Sequence, residues 1–302
     1  MKNMTEIVRT INSRKGKGNS KFFKAFVLST AMAMALTACG GKDNQSIVVV
    51  SREDGSGTRG AFTELLGIEI KEADGSKKDM TTKEAIIVNK TDVMLTTVAG
   101  DVNAIGYVSL GSLNDSVKAL AIDGVEPSAE NVKNNTYALA RPFFVATKGE
   151  GTPLAQDFIG FILSAEGQSV VGESYVASAD APKPYGGKAP QGKLTIAGSS
   201  SVSPVMEKLK EAYADVNPGA VIEIQMSDST SGINAAIDGT VDIGMASRNL
   251  KEGELSSLTA TVIAMDGIGI IVNKENPMTA LTSEQANKIF TGEYTDWGEL
   301  NG

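Results

Sequence analysis

The sequence predicts an α/β fold, and three observations predict it. From Ser46 onward, short apolar runs rich in Val and Ile alternate with stretches whose apolar residues recur at helical spacing. Clusters of Gly, Ser, Thr and Asn punctuate the boundaries. The 302 residues are 41% hydrophobic and include 32 glycines, which suits one large domain or two lobes with many tight turns.

Taken in order, the expected strands are Ile47–Val50, Ile105–Val108, Val117–Ile122, Phe143–Thr147, Leu194–Ala197, Val221–Gln225, Asp242–Ala246 and Val262–Val272. Each is a run that suits a pleated, half-buried or buried surface. The expected helices are Thr58–Leu66, Thr91–Ala99, Ala129–Asn134, Pro153–Leu163, Ser203–Val216, Gly232–Asp238 and Ser283–Phe290. Their apolar stripes are most simply core-facing. No internal repeat, heptad or charge run interrupts the alternation.

Composition excludes whole classes of function. The net charge of −8 argues against a nucleic-acid or anionic-membrane surface. With no histidine, Ser-His-Asp and Cys-His catalysis are absent, as is the commonest metal ligand. The single cysteine, Cys39, permits neither an internal disulfide nor a cysteine zinc site. Nothing in the reading calls for a cofactor or metal.

The N-terminus accounts for that cysteine. Residues 1–24 are basic, and "AFVLSTAMAMALTA" follows, ending at Cys39. A spanning helix needs about 20 apolar residues, so residues 1–38 read as a secretory signal. "LTAC" (Leu36–Cys39) resembles a bacterial lipobox, which implies cleavage before Cys39 and lipidation of its thiol. Residues 39–45 then form a short tether. A second stretch, Ala177–Lys193, is rich in Ala, Pro, Gly and Lys and reads as a linker. Its "GKAPQGK" is close to a phosphate-binding Walker loop but fails as one. Leu194 stands where Ser or Thr is needed, a proline lies inside, and the loop precedes a strand.

Three loops share one character. "SREDGSGTRG" (Ser51–Gly60), "AGSSSVSP" (Ala197–Pro204) and "SDSTSG" (Ser227–Gly232) each follow a strand and open a helix. Capping explains one hydroxyl per helix. Clusters this dense also fit an anion site, in which helix starts offer free N–H donors and roughly half a unit of positive charge. Ser and Thr add donors, Gly admits close approach, and Arg52 adds a planar fork. Selecting phosphate over sulfate would further need a buried acceptor for the phosphate proton, and Asp54 and Asp228 are the candidates. Of its two roles, Asp54 is more simply read as the ion-pair partner that orients Arg52.

These residues carry a resemblance. "KLTIAGSSSVSPVMEKLKEAY", "DSTSGINAAIDGTVDIGMASRNL", "IAMDGIGIIVNKENP", "IFTGEYTDWGEL", "VVVSREDGSGTRGAF" and "AIGYVSLG" together resemble the phosphate-binding lipoproteins of bacterial phosphate ABC importers. The similarity runs from Ser46 to Gly302 apart from the linker. The order differs from the family's, in which the "LTIAGSSS" segment comes near the mature N-terminus. The chain therefore looks circularly permuted, with residues 177–193 joining the family's usual ends; the alternative is a rearranged gene whose lobes are completed by swapping.

The resemblance implies a two-lobed, hinged periplasmic-binding-protein-like fold. One lobe would be residues 46–140 plus 265–302, the other 141–264, with crossings near Arg141 and Met265–Gly267. Phosphate ligands would map onto Ser200, Ser201, Ser229, Arg52, Ser56, Gly57 and Thr58. The family often has an aspartate after the "DIGMAS"-type strand; here the residues are Ser247 and Arg248, so Arg248 could add charge to the site instead. Trp297 reads as a packing residue. The expected partners are inorganic phosphate, the permease subunits of an ABC importer, and the extracytoplasmic face of the cell membrane through the lipid, with no nucleic acid. Rivals are a receptor for sulfate or molybdate, a phosphoryl-transfer enzyme using Ser56 or Ser200, and a non-binding structural lipoprotein.

Overall fold

The computed structural model describes residues 45–74, 76–178 and 181–301. The expected signal peptide and Cys39 lie outside the described residues. β1 (Val48–Arg52) leads into α1 (Gly57–Leu65). A hairpin of β2 (Glu69–Lys71) and β3 (Lys77–Asp79) precedes β4 (Ile86–Val88), α2 (Thr91–Ala99) and β5 (Ala104–Ser109). Then come β6 (Val117–Ala119), β7 (Ala121–Ile122), α3 (Ala129–Lys133), β8 (Ala140–Lys148), α4 (Pro153–Ile162), α5 (Ala165–Val171) and β9 (Val176–Ala177). The remainder is β10 (Gly192–Ser199), α6 (Ser203–Val216), β11 (Ala220–Ser227), α7 (Ser229–Asp238), β12 (Ile243–Ala246), α8 (Glu252–Leu255), β13 (Leu258–Asn273), β14 (Ala280–Leu281) and α9 (Ser283–Thr291).

The main sheet runs β11-β10-β12-β8-β13-β5-β1-β4. At one end β10 lies parallel to β11 and β12; at the other, β1 lies parallel to β4 and β5. The middle is antiparallel. β13 pairs first with β8 over Leu258–Gly267 and then with β5 over Ile268–Val272. Buried apolar residues divide the same way. One set of cores draws on residues 143–264 and includes Phe158, Phe161, Leu209 and Tyr213. The other draws on residues 49–139 and 268–297 and includes Phe62, Tyr107, Phe290 and Trp297. Trp297 is buried and its indole N–H donates to the Asn103 carbonyl at 3.2 Å, so it packs.

Differences from the sequence reading have local causes. The expected strand Val117–Ile122 breaks at Leu120, because Val117–Ala119 pairs with β13 while Ala121–Ile122 pairs with β14. α7 starts at Ser229, three residues before the expected Gly232, because Asp228 caps it by accepting from the Ser231 N–H at 2.8 Å. α5 was hidden by Gly167 in "SAEGQSVV"; Ser164 caps that helix, and the glycine sits so close to Phe161 that a Cβ would lie 2.1 Å from its carbonyl oxygen. The expected linker is partly pinned: Asp157 accepts from the Tyr185 hydroxyl, from the Tyr213 hydroxyl at 2.6 Å and from the Lys188 N–H at 2.8 Å.

Candidate functional site

The sheet directs the C-terminal ends of β1, β10 and β11 into loops that open α1, α6 and α7, and those three loops meet. Two glycines make the meeting close. A Cβ on Gly57 would lie 2.3 Å from Ser229 Oγ and 2.8 Å from Ser247 Oγ. Gly55, at φ +91°, would place a Cβ 2.6 Å from Asp228 Oδ1. Across the same seam, the Thr230 N–H and hydroxyl both donate to the Gly55 carbonyl at 3.1 Å.

Around this seam lies a buried cluster of hydroxyls. Thr58 Oγ1 and Ser201 Oγ are 2.8 Å apart. Arg52 Nη2 donates to Ser200 Oγ at 3.1 Å. Ser199 Oγ donates to Ser247 Oγ at 2.9 Å, and the Ser247 N–H donates to Ser229 Oγ at 3.1 Å. Arg52 is 2% exposed, and Ser229 and Ser247 are fully buried. Hydroxyls are costly to bury unless hydrogen-bonded, and these satisfy one another. Thr91, the first residue of α2, lies 3.2 Å from Ser200 Oγ and 3.4 Å from Ser201 Oγ, so a fourth helix start joins the cluster.

Capping accounts for part of this. Ser56 caps α1 through the Arg59 N–H at 3.3 Å, and Asp228 caps α7. α6 and α2 have no side-chain cap. Their leading N–H groups, with the attendant positive end of each helix, are not consumed by the hydroxyls beside them. The arrangement is a set of donors converging on one point, which is what an oxyanion requires.

The charges are individually paired. Glu53, and not Asp54, orients Arg52: Nε and Nη2 each donate to a Glu53 oxygen at 2.8 Å. Adjacent backbone geometry gives Glu53 the fork, while the Asp54 side chain is 98% exposed and pairs with Arg59 at 2.9 Å. Both Asp228 oxygens are taken by Ser231, at 2.8 Å from its N–H and 2.5 Å from its hydroxyl. Arg248 adds no free charge to the cluster, because Nη1 and Nη2 each donate to Glu254 at 2.8 Å. Burial alone would push the Glu254 carboxyl up, but the Arg248 guanidinium outweighs it and holds the carboxyl below its usual range.

Beneath the cluster lies a second arginine. Arg141 is fully buried on β8 and donates from Nη1 to the Ser247 carbonyl at 2.8 Å. Nε and Nη2 donate to Asp266 Oδ2 at 3.3 and 3.1 Å. Arg141 and Asp266 are register partners in the β8–β13 pairing. Burial pushes the Asp266 carboxyl up to about 6, although Arg141 pulls it down. Asp266 Oδ1, Ser109 Oγ, Ser112 Oγ and Tyr175 Oη are buried with no hydrogen-bond partner.

Of the sequence-predicted residues, Arg52, Ser56, Gly57, Thr58, Ser200, Ser201, Ser229 and Ser247 come together. Asp54, Asp228 and Arg248 flank them, occupied elsewhere. A cleft of about 870 Å³, lined by residues including Asp54, Ser56, Arg59, Thr230, Arg248 and Lys251, opens beside them. Sequence reasoning missed Thr91, Glu53, Ser199 and the Arg141–Asp266 pair. Thr91 had one legible signal, a hydroxyl at an expected helix start; the buried ion pair had none, since its partners stand 125 residues apart.

The chain belongs to the PBP superfamily, whose domain is matched by residues 27–166 and 183–302. Within that superfamily its relatives are phosphate-binding proteins. It is 49% identical over 288 residues to Phosphate-binding protein PstS 2 of Streptococcus agalactiae serotype V, covering 93% of this chain and 98% of that protein. The crystal structure of a phosphate-binding protein of a phosphate ABC transporter from Streptococcus pneumoniae TIGR4 superposes with a TM-score of 0.68 at 45% identity, over 84% of this chain and 99% of that one. Phosphate-binding protein PstS of Bacillus subtilis matches at 31% identity over 145 residues, 47% of this chain and 48% of that protein.

Proposed function

We propose that this protein is an extracytoplasmic, lipid-anchored receptor that captures inorganic phosphate and hands it to the permease of an ABC importer. One observation carries the reading: Arg52 and the hydroxyls of Thr58, Ser200, Ser201 and Ser229 converge where four helices begin. In this reading, Ser200, Ser201 and Ser229 bind phosphate oxygens from one side. Arg52, Ser56, Gly57 and Thr58 bind from the other, and Glu53 keeps the Arg52 fork planar to the ligand. The hydroxyls that now bond each other exchange those bonds for ligand oxygens, so little polar surface is left unpaired in either state.

The two sets of cores are the two lobes, residues 46–140 plus 265–302 and residues 141–264. β8 and β13 pair where these lobes join, and the Arg141–Asp266 pair lies in that pairing. We read the chain order as permuted relative to the Bacillus subtilis protein. The superfamily match in two segments that leave out residues 167–182 supports this. So does an end-to-end match to the Streptococcus agalactiae relative beside a half-length match to the Bacillus subtilis one. Anchoring is through Cys39; no helix of the described residues is long and apolar enough to cross a membrane. The reading includes no catalytic step: Ser200 Oγ bonds Arg52 and Thr91, neither of which is a base.

Equilibrium dialysis against labelled phosphate tests the proposal. It predicts one phosphate per chain at micromolar or tighter affinity, and no phosphate released from a chromogenic ester. A folded protein that retains no phosphate contradicts it.

A further inference from the structure

We infer that Arg141 and Asp266 are positioning residues for phosphate: held beneath the hydroxyl cluster, they set the affinity of the site through Ser247 without touching the ligand. The inference rests on the phosphate reading above and adds to it two residues that lie outside the three loops.

Ser247 is the residue through which the pair acts. It directly follows β12 and is fully buried. Its N–H donates to Ser229 Oγ at 3.1 Å, and its Oγ accepts from Ser199 Oγ at 2.9 Å. Ser199 is the last residue of β10 and Ser229 the first of α7, so this one residue ties two of the converging loops together. It also limits the approach of the third, because a Cβ on Gly57 would lie 2.8 Å from Ser247 Oγ. A small displacement of Ser247 therefore alters the spacing of all three loops. Hydrogen bonds to an oxyanion weaken steeply once distance and angle leave their narrow range.

Arg141 holds Ser247 from below. Nη1 donates to the Ser247 carbonyl at 2.8 Å. The opposite edge of the guanidinium is fixed by Asp266, whose Oδ2 accepts from Nε at 3.3 Å and from Nη2 at 3.1 Å. Its Cζ lies over the Phe143 ring, 5.3 Å from the centroid. A planar fork clamped at one edge and over one face has one position, and so does the N–H it aims at Ser247. Arg141 and Asp266 are register partners on β8 and β13, so the rigidity of the paired strands passes to the floor of the site. As a source of stability alone a buried ion pair is weak, because desolvating two charges offsets their attraction. Its value here lies in the position it enforces.

Calorimetric titration of inorganic phosphate into the intact protein in mild detergent, and into two variants, tests this, with urea unfolding of each. In Arg141→Met/Asp266→Leu, apolar side chains replace both charges, a change that is often neutral or stabilising for a buried pair. We expect this variant to unfold at no lower urea concentration than the wild type, and its phosphate Kd to rise at least about tenfold. Arg141→Lys keeps a cation opposite Asp266 but cannot serve that carboxylate and the Ser247 carbonyl together, so its phosphate Kd should rise at least about threefold in a folded protein. Calorimetry reads the number of sites separately from Kd. A wild-type Kd in either variant, with full or reduced numbers of sites, marks a purely structural pair; it overturns the inference and leaves the phosphate reading standing. Folded wild type that binds no phosphate overturns both.

Discussion

Gly57 is where the site is narrowest, since any side chain there meets Ser229 and Ser247. Gly57→Ala must push the two loops apart, and overpacking of this kind costs about 1–3 kcal/mol. We expect urea unfolding to register that loss and phosphate affinity to fall at least about tenfold. Arg52 reaches the buried hydroxyl cluster through Ser200. A charge-assisted hydrogen bond contributes about 1.5–3 kcal/mol, so Arg52→Met should weaken phosphate by about 10- to 100-fold. Arg52→Lys should not restore it, because lysine cannot hold the Glu53 fork and reach Ser200 together; recovery of wild-type affinity in Arg52→Lys would show that bare charge suffices. Much of this scale was legible in sequence. Three Ser/Thr/Gly clusters after strands named most of the residues that converge. The partner of Arg52 was not legible, because the choice between Glu53 and Asp54 depends on backbone direction at the end of β1.

At the scale of elements, β8 and β13 carry the most consequential pair. Arg141 and Asp266 face each other in register, both fully buried, and Arg141 also holds the Ser247 carbonyl. Removing one partner of such a pair strands the other charge. Arg141→Met leaves the buried Asp266 carboxylate without its partner and is therefore expected to destabilise the fold by about 3–5 kcal/mol at neutral pH, read by urea midpoint. The pH dependence has a definite sign. Burial raises the Asp266 carboxyl from 3.8 to about 6, so the folded protein binds this proton more tightly than the unfolded chain. The Asp266 contribution is least favourable above about pH 6 and improves as pH falls towards about 4. Stability measured across that window should fall more steeply with acid in Asp266→Asn than in the wild type; identical slopes would show that Asp266 keeps its ordinary ionisation. Long, strongly patterned elements such as α2 and α6 were legible to the residue. The short ones were not: β2 and β3 lie in the charged stretch "EIKEADGSKKD", and β9 and β14 exist only because a distant strand offers an edge.

At the scale of the whole molecule, the permuted order proposed above bears on two stretches of the chain. The two ends of the described chain lie side by side: Ser46 bridges Asp296, and the Trp297 N–H donates to the Gln45 carbonyl at 2.9 Å. That contact ties the segment before β1 to the segment after α9. In the Pro/Gly-rich stretch before β10, Asp157 holds Tyr185, Tyr213 and the Lys188 backbone, so residues 181–191 are tied to α4 and α6. Asp157→Ala should make this segment the first site of limited proteolysis, detected by mass spectrometry; unchanged cleavage would mean that the ties are incidental. The α/β class could be expected from the alternation of apolar runs with helical stretches. The pinning of residues 181–191 could not, because Tyr185 is an isolated aromatic in a Pro/Gly-rich stretch.

The most direct test of the central claim is calorimetric titration of phosphate into the wild-type protein and the Arg52→Met variant, side by side. The account predicts one tight site in the wild type and a loss of about 10-fold or more in the variant, with both proteins folded. Equal phosphate affinity in the two, or no phosphate heat from folded wild type, would contradict it.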